Sequence, residues 1–209
     1  KSDIYISSLF HLLNKILSLI YFICLIYLFI DMTVLQPFLP SDLIYYDIHT
    51  KYVDVFRLAR KLNMLLIPYS SLTDDQLLFI NIFDELKDGF TVFRKENGEE
   101  KIYTFYRDID VSKSRQRFTI AHEIKHVIYH EDKPSEKDED LANHFARQLL
   151  APTCLVMKYL NDSPFDIVST FDISFECALC AYNHAENRVL SNCSNLDQFE
   201  VDFIETVVE

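Results

Sequence analysis

Apolar and polar positions along the chain repeat with two different periods. Val55, Leu58, Ala59 and Leu62 fall at i, i+3, i+4 and i+7, which predicts an amphipathic helix. The run "MLLIPYS" that follows reads as a short buried strand closed by Pro68. Thr73 and Gln76 form a capping-box pair, opening a helix expected to run to about Lys87. "GFTVFRKENGEEKIYTFYRD" holds two β-rich runs around Asn97-Gly98, a strong signal for a two-residue hairpin whose Tyr and Phe side chains serve a core. Beyond the hairpin the period becomes helical through most of the remainder. A helix beginning near Ser114 carries Ile120, Ile124, Val127 and Ile128 on its apolar stripe. The next, "EKDEDLANHFARQLLAP", places Leu141, Ala142, Phe145, Ala146, Leu149 and Leu150 on one arc before Pro152.

The first thirty residues depart from this pattern. Ile16–Ile30 is unbroken apolar sequence, and back to Ile4 the only charge is Lys15. About 20 such residues span a bilayer, so residues 4–30 are a candidate membrane anchor. Asp31-Met32-Thr33 offers no small-x-small site for a cleaved signal. Met32 directly follows the run, so a start at that methionine, leaving a cytoplasmic protein, is the competing expectation.

Composition narrows the classes. In 209 residues the net charge is −12 and no Lys/Arg block forms a phosphate-tracking stripe, which argues against direct nucleic-acid binding. Two glycines leave no Gly-rich phosphate loop. Five scattered cysteines suit reduced thiols rather than a disulfide framework.

Chemistry concentrates in "RFTIAHEIKHVIYH", residues 117–130. His122 and His126 sit one helical turn apart, so both imidazoles can reach one ion, and Glu123 beside them can reach a water on it. This is the HExxH arrangement of zinc peptidases. His130 lies eight residues from His122, about 12 Å along a helix, too far to share the ion. "HVIYH" also lacks the glycine that bends a third histidine back. His130 is therefore expected at the helix end or behind the ligands. The following helix offers carboxylates: Asp140 points away from the apolar arc, while Asp138 lies near its centre and Glu139 on its flank. Glu139 has Asn143 one turn later, an amide suited to orienting a ligand. Glu139 is the expected third ligand, with Asp138 in reserve.

"RQRFTIAHEIKHVIYH" followed by "EDLANHFARQLLAP" resembles the ImmA/IrrE metallopeptidases, whose pattern is approximately RxRFTxAHExGHxxxH and then E-x-x-A-N-x-F-A-x-x-L-L-x-P. The likeness is specific at Arg115–His130 and Glu139–Pro152, and weaker across roughly 52–188. It implies an α+β, zincin-like fold with a small antiparallel sheet, an HExxH helix packed on a second ligand-bearing helix, and further C-terminal helices. The expected division is a hydrophobic segment at 1–31, a linker at 32–50, a peptidase core at 51–152 and a C-terminal helical region at 153–209. The resemblance further implies Zn2+ held by His122, His126 and, gluzincin-like, Glu139, with Glu123 catalytic. The implied substrate is a helix-turn-helix repressor whose cleavage relieves repression. One departure is Lys125, where the family usually has glycine; its stem can carry the charge to water or crowd the cleft. A non-catalytic regulatory or toxin–antitoxin partner keeping the fold, and a membrane-tethered protease with other targets, are the alternatives.

Other clusters have simpler readings. Cys177, Cys180, His184 and Cys193 carry CxxC spacing for a second zinc site, but the first three equally mark a core face at i, i+3 and i+7. Lys113, Arg115 and Arg117 read as the solvated start of the HExxH helix, and His144 and His49 as structural.

Overall fold

The computed structural model describes residues 52–83, 88–191, 195–196, 200–201 and 203–205. The apolar run at 16–30, the linker, His49 and Cys193 lie outside them. Among the described residues no helix is long and apolar enough to cross a membrane.

The chain enters through α1 (Val55–Lys61), capped by the Asp54 side chain on the Arg57 amide. Val55, Leu58 and Ala59 are its buried face, as the spacing predicts. Asn63 takes the left-handed conformation, and β1 (Met64–Pro68) follows directly. A 3-10 turn at Tyr69–Ser71 leads to α2 (Asp74–Phe83). Its capping box is formed: the Thr73 amide donates to Gln76 Oε1 at 2.9 Å and the Gln76 amide to Thr73 Oγ1 at 3.3 Å. Residues 84–87, the expected end of this helix, lie outside the described part.

The hairpin forms where Asn97-Gly98 predicts it, between β2 (Gly89–Glu96) and β3 (Glu99–Tyr106). Both turn residues have positive φ, 54° and 85°, the combination a two-residue primed turn requires. The sheet has three strands in the order β1-β3-β2. It is mixed rather than antiparallel, because β1 runs parallel to β3 with Leu66 opposite Thr104. A parallel pair needs a crossover, and α2 with β2 provides one. Nor is β1 buried as its apolar run suggests. Met64 is covered, but Leu65, which points to the opposite face of the sheet, is 46% exposed.

Among the described residues the hairpin is followed by helices: α3 (Lys113–Ile128), α4 (Glu136–Leu150), α5 (Thr153–Val156), α6 (Pro164–Phe171) and α7 (Phe175–Leu190), with a 3-10 turn at Met157–Tyr159. Ser residues at 112, 135, 163 and 174 cap α3, α4, α6 and α7, each accepting a backbone N–H from the first turn. The cap on α3 is thus Ser112, and the helix begins at Lys113, one residue ahead of the expected start. α3 packs on β2 and β3 on one side and on α4 on another. Ile120, Ile124, Ala142, Phe145, Ala146 and Leu149 are fully covered, while Val127 and Ile128 are only half-buried. Burying a side chain such as Phe145 stabilises the fold by about 2–3 kcal/mol. α7 packs on α5 and α6, and its buried residues are Cys177, Ala178, Ala181 and Ala185.

Arg117 is not a solvated start to α3. It is 2% exposed, and its guanidinium donates to the carbonyls of Val53 (3.1 Å), Phe171 (3.0 Å) and Asp172, with the Tyr52 ring 4.1 Å away. Three segments distant in sequence are tied by one side chain. Arg115 bonds Asp88 through Nε at 2.6 Å, joining the helix to the entry of β2.

Candidate metal centre

Three potential ligand atoms converge where α3 faces α4. His122 Nε2 is 3.1 Å from His126 Nε2 and 2.9 Å from Glu139 Oε2, and His126 Nε2 is 3.8 Å from the same oxygen. The one-turn spacing on α3 brings the imidazoles together, and the first turn of α4 carries the carboxylate to them. Among the described residues this is the one group of three or more His, Cys, Asp or Glu side chains whose ligand atoms lie within 4.8 Å of one another.

The backs of the two rings define their protonation. His122 Nδ1 lies 3.0 Å from Asn143 Oδ1, and His126 Nδ1 lies 2.7 Å from Glu131 Oε2. Both partners are acceptors, so each Nδ1 carries its hydrogen and donates, leaving an Nε2 lone pair aimed inward. Burial foremost, and then the neighbouring His126, push the His122 pKa below its ordinary value, against the pull of Glu139 and Asn143. A neutral ring is thereby favoured. Two lone pairs and a carboxylate oxygen facing one another repel unless a cation sits among them. A tetrahedral zinc with bonds of about 2.0–2.1 Å separates its ligand atoms by about 3.3 Å, within the spread of 2.9 to 3.8 Å seen here. The residues present therefore fit a small divalent cation.

The other carboxylates are engaged elsewhere. Asp138 completes the capping box of α4, accepting from the Ser135 amide (2.9 Å) and hydroxyl (2.6 Å). Those bonds hold its pKa below the usual value. Asp140 is exposed. His130 ends the helix: with φ 53° it turns the chain, donating its amide to Val127 O while the Glu131 amide returns to His126 O at 2.9 Å. Its ring packs on Phe93, centroids 4.4 Å apart, and takes no part in the cluster.

Lys125 does not carry its charge to water. It is 3% exposed, and Nζ lies 2.6 Å from both oxygens of Glu131 and 3.1 Å from the Asp138 carbonyl. Sequence reading treats a lysine stem as free to extend, and misses the acid that the chain turn at His130 brings back.

Glu123 is 4% exposed and directed at the sheet, where Thr91 Oγ1 donates to its Oε2 at 2.8 Å. Thr104, fully buried on the central strand opposite Thr91, lies 3.0 Å from that hydroxyl. With the Thr91 hydrogen spent on Glu123, Thr104 donates to Thr91, and the pair forms a short chain ending on the carboxylate. Neither threonine was marked by spacing; their alignment across a strand pair is a tertiary fact. Gly89 lets β2 pass this close, since a Cβ there would meet Thr119 Cγ2 at 2.5 Å and Phe105 O at 3.0 Å.

The second cysteine cluster does not gather among the described residues. Cys177 is buried, and burial raises its thiol to about 11, whereas Cys180 is exposed. The core-face reading holds for Cys177 and fails for Cys180. His144 packs its ring on His184, centroids 5.2 Å apart.

No curated protein and no solved structure matches the chain. Residues 102–187, from the middle of β3 to near the end of α7, do match a family, the one described as the IrrE N-terminal-like domain, Peptidase_M78. The matched stretch holds the two histidines, Glu123, Glu139 and Asn143, so the segment that carries the candidate metal centre is the part of this chain similar to that peptidase family.

Proposed function

We propose that this chain is a zinc-dependent endopeptidase with a zincin-like core, cleaving a helix-turn-helix transcriptional repressor and so relieving repression. The observation that carries the proposal is the convergence of His122, His126 and Glu139, with Glu123 next to the first of them in sequence and its carboxylate buried. Two imidazoles and one carboxylate suit zinc among the common divalent cations, and three protein ligands are the number used where a position is kept for water or substrate. When bound, the ion supplies Lewis acidity, polarising a carbonyl and bringing the pKa of a water toward about 7.

The chain's own residues supply the proton handling. Glu123 takes a proton from water and passes it to the nitrogen of the leaving amine. Thr91 donates to Oε2 and so holds the Glu123 carboxylate in one orientation. Asn143 holds the His122 ring in one tautomer, so its Nε2 stays available. The repressor as substrate rests on the family resemblance, and the net charge of −12 is compatible with docking on a basic partner. A cytoplasmic location follows if residues 1–31 are absent from the mature chain, and a tethered one if they are present.

The test is a repressor encoded beside this chain, incubated with it with and without chelator. A defined cut by the wild type, abolished by chelator and by Glu123→Gln, is the expected result. A biological effect that survives Glu123→Gln points instead to a non-catalytic binding partner. Mass spectrometry of the natural N-terminus decides between the free and tethered forms.

A further inference from the structure

We infer that Glu131 is a positioning residue for His126 and that Lys125, buried beneath it, acts through Glu131 to hold it there. The inference rests on the metal-centre reading above and concerns residues to which neither the HExxH pattern nor the family match assigns a role.

The geometry has three parts. First, the helix end folds back: His130 adopts φ 53°, and the Glu131 amide reaches His126 O at 2.9 Å, which returns the Glu131 side chain alongside the last turn. Second, Glu131 Oε2 accepts from His126 Nδ1 at 2.7 Å. A carboxylate at that distance fixes the ring's rotation and places its hydrogen on Nδ1, so the Nε2 lone pair faces His122 and Glu139. Third, Lys125 Nζ spans both Glu131 oxygens at 2.6 Å and reaches the Asp138 carbonyl at 3.1 Å. Its charge lies in the interior, where an uncompensated carboxylate would be costly. One ammonium thus clamps the acid from α3's far end and ties it to the first turn of α4, the turn that carries Glu139.

A merely structural ion pair would hold the helices together with no effect on the ion. A positioning pair predicts that metal affinity changes in its own right, since losing an outer partner of a ligating histidine costs about 10–100-fold. Full-length protein is titrated with zinc against a chromophoric chelator, and cobalt is added separately to read the visible absorption of the loaded site. Glu131→Gln is expected to weaken zinc binding by at least about 10-fold and to shift the cobalt bands. Lys125→Met is expected to do the same, and keeps the test open should Glu131→Gln not fold. The double variant should bind no more weakly than Glu131→Gln alone, because the lysine has nothing left to act through. Unchanged zinc affinity in a folded Glu131→Gln, with only a lower melting temperature, overturns the inference. Additive losses in the double variant overturn the part assigned to Lys125. If the wild type itself takes up no zinc, the metal-centre reading fails first and this inference with it.

Discussion

Replacing Arg117 by methionine tests how the fold is assembled around α3. The guanidinium serves three backbone carbonyls, two of them, Phe171 and Asp172, at the C-terminal end of α6 and the third, Val53, ahead of α1. Methionine keeps much of the stem and removes every donor and the charge. Hydrogen bonds from charged groups contribute about 1.5–3 kcal/mol each, so three of them are worth roughly 5–9 kcal/mol before the cost of burying the ion. That cost is real, since burial pulls the Arg117 pKa below its usual value. The Asp172 carboxylate, 3.4 Å away but 59% exposed, offsets little of it. Leaving three carbonyls without their donor costs about 1–3 kcal/mol each, and once relief from burying the ion is set against it a net loss of about 3–5 kcal/mol is expected, a large share of the roughly 5–15 kcal/mol typical of a domain. With a urea slope of about 2 kcal/mol/M, the midpoint should fall by about 2 M. Urea melts followed by circular dichroism measure this, with Arg117→Lys expected between the two. A methionine variant within about 1 kcal/mol of wild type would refute the account, showing that packing of the stem and not the carbonyl bonds holds these segments.

Two further outcomes are expected. Gly89→Ala sets a methyl against Thr119 Cγ2 and Phe105 O, so β2 and α3 must separate; overpacking of this kind costs about 1–3 kcal/mol. Turnover should fall further than zinc affinity does, and a variant that matches wild type in melting and cleavage rate would contradict the close approach. Among the thiols, burial foremost holds Cys154 at about 12 and Cys177 at about 11, while Cys180 is exposed. Iodoacetamide at pH 8 followed by peptide mass spectrometry should therefore find Cys180 modified well before the other two, and equal rates for Cys177 would contradict its burial.

What the sequence made legible was local. Asn97-Gly98 encodes its own turn because both residues tolerate positive φ, and Thr73–Gln76 encodes a cap within four residues. His122 and His126 share a face because helical spacing requires it, and Glu139 follows soon enough that one chain turn can deliver it. Illegible features all depend on distant partners. The parallel pairing of β1 with β3 is decided by a crossover, not by either strand's pattern. Arg117 and Lys125 look like surface cations until carbonyls and an acid from elsewhere surround them. Thr91 and Thr104 become a hydroxyl chain only through strand register.

The chain turn at His130 bears on how separable the two halves of the chemistry are. Because the chain reverses there within a few residues, the described side chains that would grip the ion, and those that steady them, come from a single helical hairpin. A partner of Glu123, Thr91, comes instead from the sheet. Damage to the strands should then leave a protein that still captures its ion yet turns over slowly, whereas damage to the hairpin should abolish both together.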